Sequence, residues 1–358
     1  MECRPLVRRF LCHALLIGCA LAAYDARSQQ PQSGQPAPLQ GFHLIAKYSL
    51  GGEGGWDYLS ADSIARRLYI ARSNRVTVFD LDKGTVVGEL PNTNGVHGIA
   101  VANDLGRGFA SCGQDGKVVI FDLKTLKPLG EVKAGTNPDA VIYDLSTSRV
   151  FAFNGDSSDV TAIDAAKGTV VGTLALGGKP EFAASDGRGT VYVNIENKNE
   201  VVALDSKKLL VKARWPVGPG EEPSGLAMDR EHRRLFIGCS NKKMIVMNAD
   251  SGQVITSLPI GEGVDANGYD SASELAFSSN GDGTLTVVHE DSPDKFSVVE
   301  TVKTERGART MTIDSKKHTV ILVTADFTAP PPATPGRPHP RPGVAPGSFR
   351  VLIFGKQG

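Results

Sequence analysis

Arg67-Leu68-Tyr69-Ile70-Ala71, then Val76-Thr77-Val78-Phe79-Asp80, then Thr85-Val86-Val87-Gly88-Glu89-Leu90: three short apolar runs are parted by turn residues. With Trp56-Asp57-Tyr58-Leu59 ahead of them, they read as four strands joined by hairpins. The same pattern returns along the chain. Asp80, Asp122, Asp164, Asp205 and Asn248 mark it, at steps of 42, 42, 41 and 43 residues. A period in this range, with four strands per unit, specifies an all-β propeller, in which each unit is one blade. The full units run 56–95, 96–137, 138–179, 180–222, 223–263 and 264–307.

The seventh unit is split. Its first two strands are expected near Arg309–Ile313 and His318–Thr324. A Pro-rich stretch over 328–348 follows, containing Pro330-Pro331-Pro332 and Pro338-His339-Pro340-Arg341-Pro342. It has too few apolar side chains for a core and reads as an extended surface loop. The third strand is Phe349-Arg350-Val351-Leu352-Ile353-Phe354, after which too little chain remains for a fourth. Residues 42–50, Phe42 to Leu50, match the fourth-strand pattern, so the N-terminal strand is expected to complete the last blade and close the ring. Closure removes the edge that an open array would expose.

These units resemble the YVTN-type repeat, a WD40-like propeller class, and the chain from residue 42 to 358 is similar to a YncE-like seven-bladed propeller. The residues that carry the resemblance best are Gly177-Gly178-Lys179-Pro180, Val191-Tyr192-Val193-Asn194 and Glu200-Val201-Val202-Ala203-Leu204-Asp205. The resemblance implies an exported propeller and transfers no catalytic residue.

Ahead of the repeats, residues 1–28 read as an export signal: Arg4, Arg8 and Arg9, then a mostly apolar run from Phe10 to Ala23. Cleavage after Ala26-Arg27-Ser28 is one expectation. The alternative is a lipoprotein box, Leu16-Ile17-Gly18-Cys19, which would anchor the protein to a membrane through Cys19. Residues 29–41 are Gln, Pro, Ser and Gly rich and read as a flexible linker. A periplasmic or secreted monomer is expected. Without residues 1–28 the chain has 35 basic and 37 acidic side chains, which speaks against nucleic-acid binding. Cys112 and Cys239 lie in blades two and five, too far apart to pair.

Two columns of the repeat carry polar chemistry. One, at the end of the first strand, reads Asp62, Ala102, Asp144, Asp186, Asp229, Asp270 and Asp314, often with Arg or Lys soon after (Arg66, Arg107, Arg149, Arg188, Arg233, Lys316). Asp at a turn bonds its own backbone, and the nearby cation is expected to neutralise it. Five residues earlier the column is not uniform: Asp57, His97, Asp139, Glu181, Ser224, Asp265 and Arg309. Repetition for folding alone favours one residue type. These seven are therefore the candidate ligand-binding residues, at the mouth of the central channel. Trp56, Tyr58, Phe182 and Tyr269 are candidate stacking partners beside them. Against this stands the plainer reading of a wet channel whose solvated polar lining holds nothing.

The sequence thus favours a binding module for a protein, peptide or small ligand over an enzyme. The enzymatic alternative is a metal-assisted, lactonase-like hydrolase or a subunit of a periplasmic oxidoreductase. Binding of single-stranded nucleic acid is a third and weaker reading. No haem-attachment motif, phosphate loop or His-Glu-x-x-His occurs, no cofactor is expected, and no catalytic residue is assigned. For a metal, which needs several ligands at short range, seven blades are expected to spread the carboxylates around too wide a ring. An arc of Asp57, His97, Asp265 and Arg309 is the part best placed to hold a ligand, with Arg309 facing an anion. His289-Glu290-Asp291 reads as a strand-end variation, because His289 falls in the Asp80 column.

Overall fold

The middle runs of each unit are apolar on both faces, so they pack against the blades on either side: along Arg67–Arg72, Leu68 and Ile70 enter the core shared with blade seven, and Tyr69 and Ala71 the core shared with blade two. In the computed structural model, which describes residues 41–332 and 342–356, this yields seven four-stranded antiparallel sheets. The leader and most of the linker, with Cys19, lie outside the described residues, as does the centre of the Pro-rich loop. Among the described residues no helix is long and apolar enough to cross a membrane. The innermost strands are Leu59–Asp62, Val96–Ala102, Pro138–Asp144, Pro180–Ser185, Pro223–Asp229, Val264–Asp270 and Met311–Asp314.

The seventh sheet runs, in order, His43–Ser49, Arg350–Gly355, Thr319–Thr324 and Met311–Asp314. The strand nearest the N-terminus therefore closes the last blade, pairing antiparallel from His43 opposite Gly355 to Ser49 opposite Arg350. Its side chains enter two cores. Phe42 packs edge-on against Phe277, ring centroids 5.1 Å apart, in the core between blades six and seven. Ala46, Tyr48 and Leu50 flank the core between blades seven and one. Cys112 and Cys239 are free and fully buried, and burial pushes both thiols up to about 12.

The Asp80 column is turn chemistry. One oxygen of Asp80, Asp122, Asp164, Asp205 and Asn248 accepts the backbone N–H groups two and three residues on, at 2.7–3.1 Å. The first-strand Asp column likewise caps its own turn: Asp62 accepts from the amides of Ile64 and Ala65, and Asp229 from those of Glu231 and His232.

Its cations behave differently from the sequence expectation. They reach into neighbouring blades, and Arg66 and Arg233 also pair within their own, with Asp82 at 3.2 Å and Asp250 at 2.7 Å, rather than with the Asp of their own first strand. Arg66 of blade one reaches Asp314 of blade seven at 2.7 Å, Arg233 of blade five reaches Asp186 of blade four at 3.0 Å, and His318 of blade seven reaches Asp270 of blade six at 3.0 Å. Arg107 and Arg149 reach forward instead, to the carbonyls of Ala165 at 3.0 Å and Ser206 at 2.7 Å in the following blade. The physical reason is reach. The turn amides leave capacity over on the Asp carboxylate, and the next blade packs within one long side chain of it.

Candidate functional site

The innermost strand starts later than expected in blades one and seven, at Leu59 and Met311 instead of Trp56 and Arg309. The cause is visible in the other five blades. Each first strand carries a β-bulge where the non-uniform column falls: the register slips between Val96 and Ile99, Pro138 and Val141, Pro180 and Ala183, Pro223 and Leu226, and Val264 and Ala266. A bulge places an extra residue against the partner strand and re-aims its side chain. His97, Asp139, Glu181, Ser224 and Asp265 are the residues so turned.

The bulges are stitched to one another. Ser111, opposite the bulge of blade two, accepts from the Gly98 amide at 3.0 Å and donates to the Asp139 carbonyl of blade three at 2.5 Å. Asn194 of blade four donates to the Ser224 carbonyl of blade five at 2.7 Å. Ser279 of blade six donates to the Arg309 carbonyl of blade seven. Asp139, Ser224 and Arg309 are thus each held by the second strand of the blade before them.

All seven column residues, with Tyr58, line one cavity of about 370 Å³ at the channel mouth. Trp56 is not among them. It lines an adjoining cavity of about 500 Å³ with Phe327 and Val344, which shares Arg309 with the first. Tyr269 is not at the mouth: it stacks on Phe236, and its hydroxyl donates to Glu290 at 2.8 Å, away from the bulge end of its strand.

An aromatic pair crosses the channel. Tyr58 of blade one meets Phe182 of blade four, ring centroids 4.9 Å apart and edge to face. Blades one and four lie across the ring, so this pair spans the channel below the polar column and gives the cavity a floor. Tyr58 is only 5 % exposed. Burial raises its hydroxyl well above the usual range, and Asp265, Asp139, Asp57 and Glu181 push it the same way.

The polar groups fall into pairs. His97 Nδ1 lies 2.6 Å from Asp57 and 3.9 Å from Asp139, the three donor atoms within 4.8 Å of one another. The carboxylates are therefore closer than the wide ring expected from sequence. Burial opposes charge on His97, but the bond to Asp57 and the charge of Asp139 outweigh it and raise the imidazole to about 9. Arg309 lies 3.0 Å from Asp265, so the arc read from sequence divides into two ion pairs and Arg309 is already engaged.

Burial lifts Asp139 to about 6 against the pull of His97. It also raises Asp265 against Arg309. For Glu181, burial and the charge of Asp139 push upward and Lys179 opposes them.

Sequence reasoning missed Lys179, Glu196 and Glu222, which reach the same cavity from loops. Lys179 bridges Glu181 at 2.6 Å and Glu196 at 2.5 Å. The available signal was its position two residues before Glu181, inside the best-matching repeat segment.

No protein-family model matches the chain. The "Uncharacterized protein YncE" of Escherichia coli (strain K12) is 26 % identical over 153 residues, 39 % of this chain and 43 % of that protein. The YncE of Escherichia coli O157:H7 is 25 % identical over the same length. The matched segment thus spans less than half of these relatives. Among solved structures, a chain of the "Crystal Structure of Mitotic Checkpoint Complex" superposes with a TM-score of 0.70, covering 95 % of this chain and 99 % of that one at 14 % identity. The similarity to YncE is weak, but with the seven-bladed ring it supports the YncE-like resemblance carried by the repeats.

Proposed function

We propose that this chain is an exported binding propeller whose channel-mouth cup takes a cationic ligand: the amine or guanidinium of a small molecule, or a basic side chain of a peptide or protein. The observation that carries this reading is charge. Asp57, Asp139, Glu181, Glu196, Glu222 and Asp265 line the cup, against Lys179, Arg309 and His97, each already paired with an acid. Its volume of about 370 Å³ suits a small ligand or one side chain. The acid excess repels phosphate, which weighs against a nucleic acid. A propeller of the same fold within a protein complex supports a peptide or protein as the source of the cation. Export to the periplasm or beyond, by cleavage or lipidation, belongs to the same proposal and rests on residues 1–28.

The sign of the pH dependence follows from Asp139. Its carboxyl is raised to about 6, so it is neutral below that pH and charged above it. Affinity for a cation is lost as pH falls through about 6. Calorimetric titration with agmatine, which carries an amine and a guanidinium, should show binding about tenfold weaker at pH 5 than at pH 7.5, one pH unit below such a pKa leaving about a tenth of the group ionised. Asp139→Asn should bind weakly at both values. Equal affinity at both pH values, or preference for citrate over agmatine, would contradict the reading.

One observation favours an enzymatic second reading. Carboxyls raised by burial, Asp139 and Glu181, are the type of group that serves as a general acid. That reading requires turnover of a substrate and its loss in Asp139→Asn.

A further inference from the structure

At the far end of the innermost strands the repeat breaks once more, at a buried position. The residue after the Asp80 column is Leu81, Leu123, Ala165, Ser206 and Ala249 in blades one to five, each less than a tenth exposed. In blade six that position is Glu290, 2 % exposed. It is tied in by the equivalent backbone bond, from its amide to the Glu274 carbonyl at 2.9 Å, as Leu81 is to Arg66 at 2.9 Å. A carboxylate therefore stands where the fold asks for an apolar or small side chain.

The same junction also carries an acid where three others carry a cation. Arg66, Arg233 and His318 each pin the buried Asp of the preceding blade. The equivalent residue of blade six is Glu274, an acid, so Asp229 of blade five receives no such partner. Two buried carboxylates, Asp229 and Glu290, instead converge on His232.

His232 Nδ1 lies 2.9 Å from Asp229 Oδ2 and 3.2 Å from Glu290 Oε1, and the three atoms fall within 4.8 Å of one another. Yet Nδ1 and Oε1 are both buried and neither makes a hydrogen bond, because the pair is out of line for one. The neighbouring groups are engaged elsewhere. Tyr269 donates to the other oxygen of Glu290 at 2.8 Å. Arg234 is held by the His232 carbonyl at 2.7 Å and by Asp294 at 2.9 Å.

We infer that Asp229, His232 and Glu290 form a binding site for a zinc-class divalent transition metal, joining blade five to blade six. Ligands about 2.0–2.2 Å from a tetrahedral zinc stand about 3.4 Å apart, close to the separations present. One imidazole and two carboxylates suit zinc or its neighbours, and calcium, which takes six to eight oxygens, is not served by this set. The Tyr269 bond to Glu290 is the outer-sphere contact that orients a ligating carboxylate. The side chain of His232 is 30 % exposed, which leaves a path for the ion and a position for water. The channel-mouth group of Asp57, His97 and Asp139 differs, since there the imidazole is already bonded to Asp57.

The test is zinc titration of the metal-free protein against a chelating indicator, with Glu290→Gln, His232→Asn and Asp57→Asn in parallel and folding checked by circular dichroism. One equivalent is expected to bind, unaffected by Asp57→Asn and weakened at least tenfold by Glu290→Gln and by His232→Asn. His232→Asn alters a partly exposed side chain and stays informative if Glu290→Gln fails to fold. Calcium at the same concentration should not compete. Absence of zinc binding, binding unchanged by both junction variants, or binding lost in Asp57→Asn would overturn the assignment.

Discussion

A chain that begins at Leu50 will lose the closed ring, whereas one that begins at Gly41 will keep it. The two differ only in the strand that pairs with Arg350–Gly355 and in Phe42 ahead of it. Without that strand, the backbone of Arg350–Gly355 becomes an unpaired edge, a template for association between chains. Phe42 leaves the core shared with Phe277, Leu322 and Phe354, and burial of a side chain of this size contributes about 1.5–3 kcal/mol. Two further contacts go as well: the Phe42 amide to Glu300 at 2.9 Å, and Lys47 to Glu305 at 2.8 Å. The latter is exposed and contributes little. With the six paired positions of the strand, the expected loss is on the order of 5 kcal/mol, a large share of a domain's typical stability. That corresponds to a melting temperature lower by about 5–10 °C, or to aggregation on expression. A synthetic peptide of residues 42–50 added in trans should restore part of it, as donated strands do. Equal melting of the two chains would mean that blade seven holds together without its fourth strand.

Arg72→Ala is expected to lower stability by about 3 kcal/mol, the range for breaking a buried charged network. Arg72 is 1 % exposed, the largest fully buried side chain among the described residues. Its Nε donates to the Gly55 carbonyl at 3.2 Å, and Nη2 to those of Glu53 at 3.0 Å and Gly54 at 3.4 Å. The guanidinium lies 3.6 Å over the ring of Phe349, in blade seven. Burial, with the charge of Arg75, lowers it to about 10, which still leaves it charged at neutral pH. One side chain thus ties blade one to the loop that follows the closing strand and to the blade that strand completes. Arg72→Lys should recover less than half of the loss, because an ammonium cannot bond three carbonyls and stack flat on an aromatic ring at once. Denaturant midpoints of the three proteins decide it. An alanine variant within about 0.5 kcal/mol of the parent, the usual spread of neutral surface changes, would remove Arg72 from the closure.

The ring and its clasp were legible because they rest on local periodicity. The 42-residue step and the apolar runs need only the residues themselves, and the missing fourth strand of blade seven pointed to 42–50. The seven column residues were legible for the opposite reason: they failed to repeat. What escaped were relations across the ring. Nothing in the sequence brings Tyr58 to Phe182, because the two meet only after seven blades close. Arg66 and Arg233 were assigned to their own turns, since sequence distance ranks those Asp residues first, yet they span to the preceding blade. The acids Glu196 and Glu222 come from loops outside the aligned strands. Glu290 sat beside His289, the residue singled out in sequence, while the group it faces is His232, from the neighbouring blade.

In the proposed function, a cationic ligand seats in the single cup formed by the column that does not repeat. A crystal structure of the protein soaked with agmatine at pH 7.5 tests it most directly. Ligand density is predicted above the Tyr58–Phe182 floor, with the guanidinium or amine against Asp139, Glu181 or Asp265. Density bound elsewhere on the propeller while the cup stays empty would contradict it.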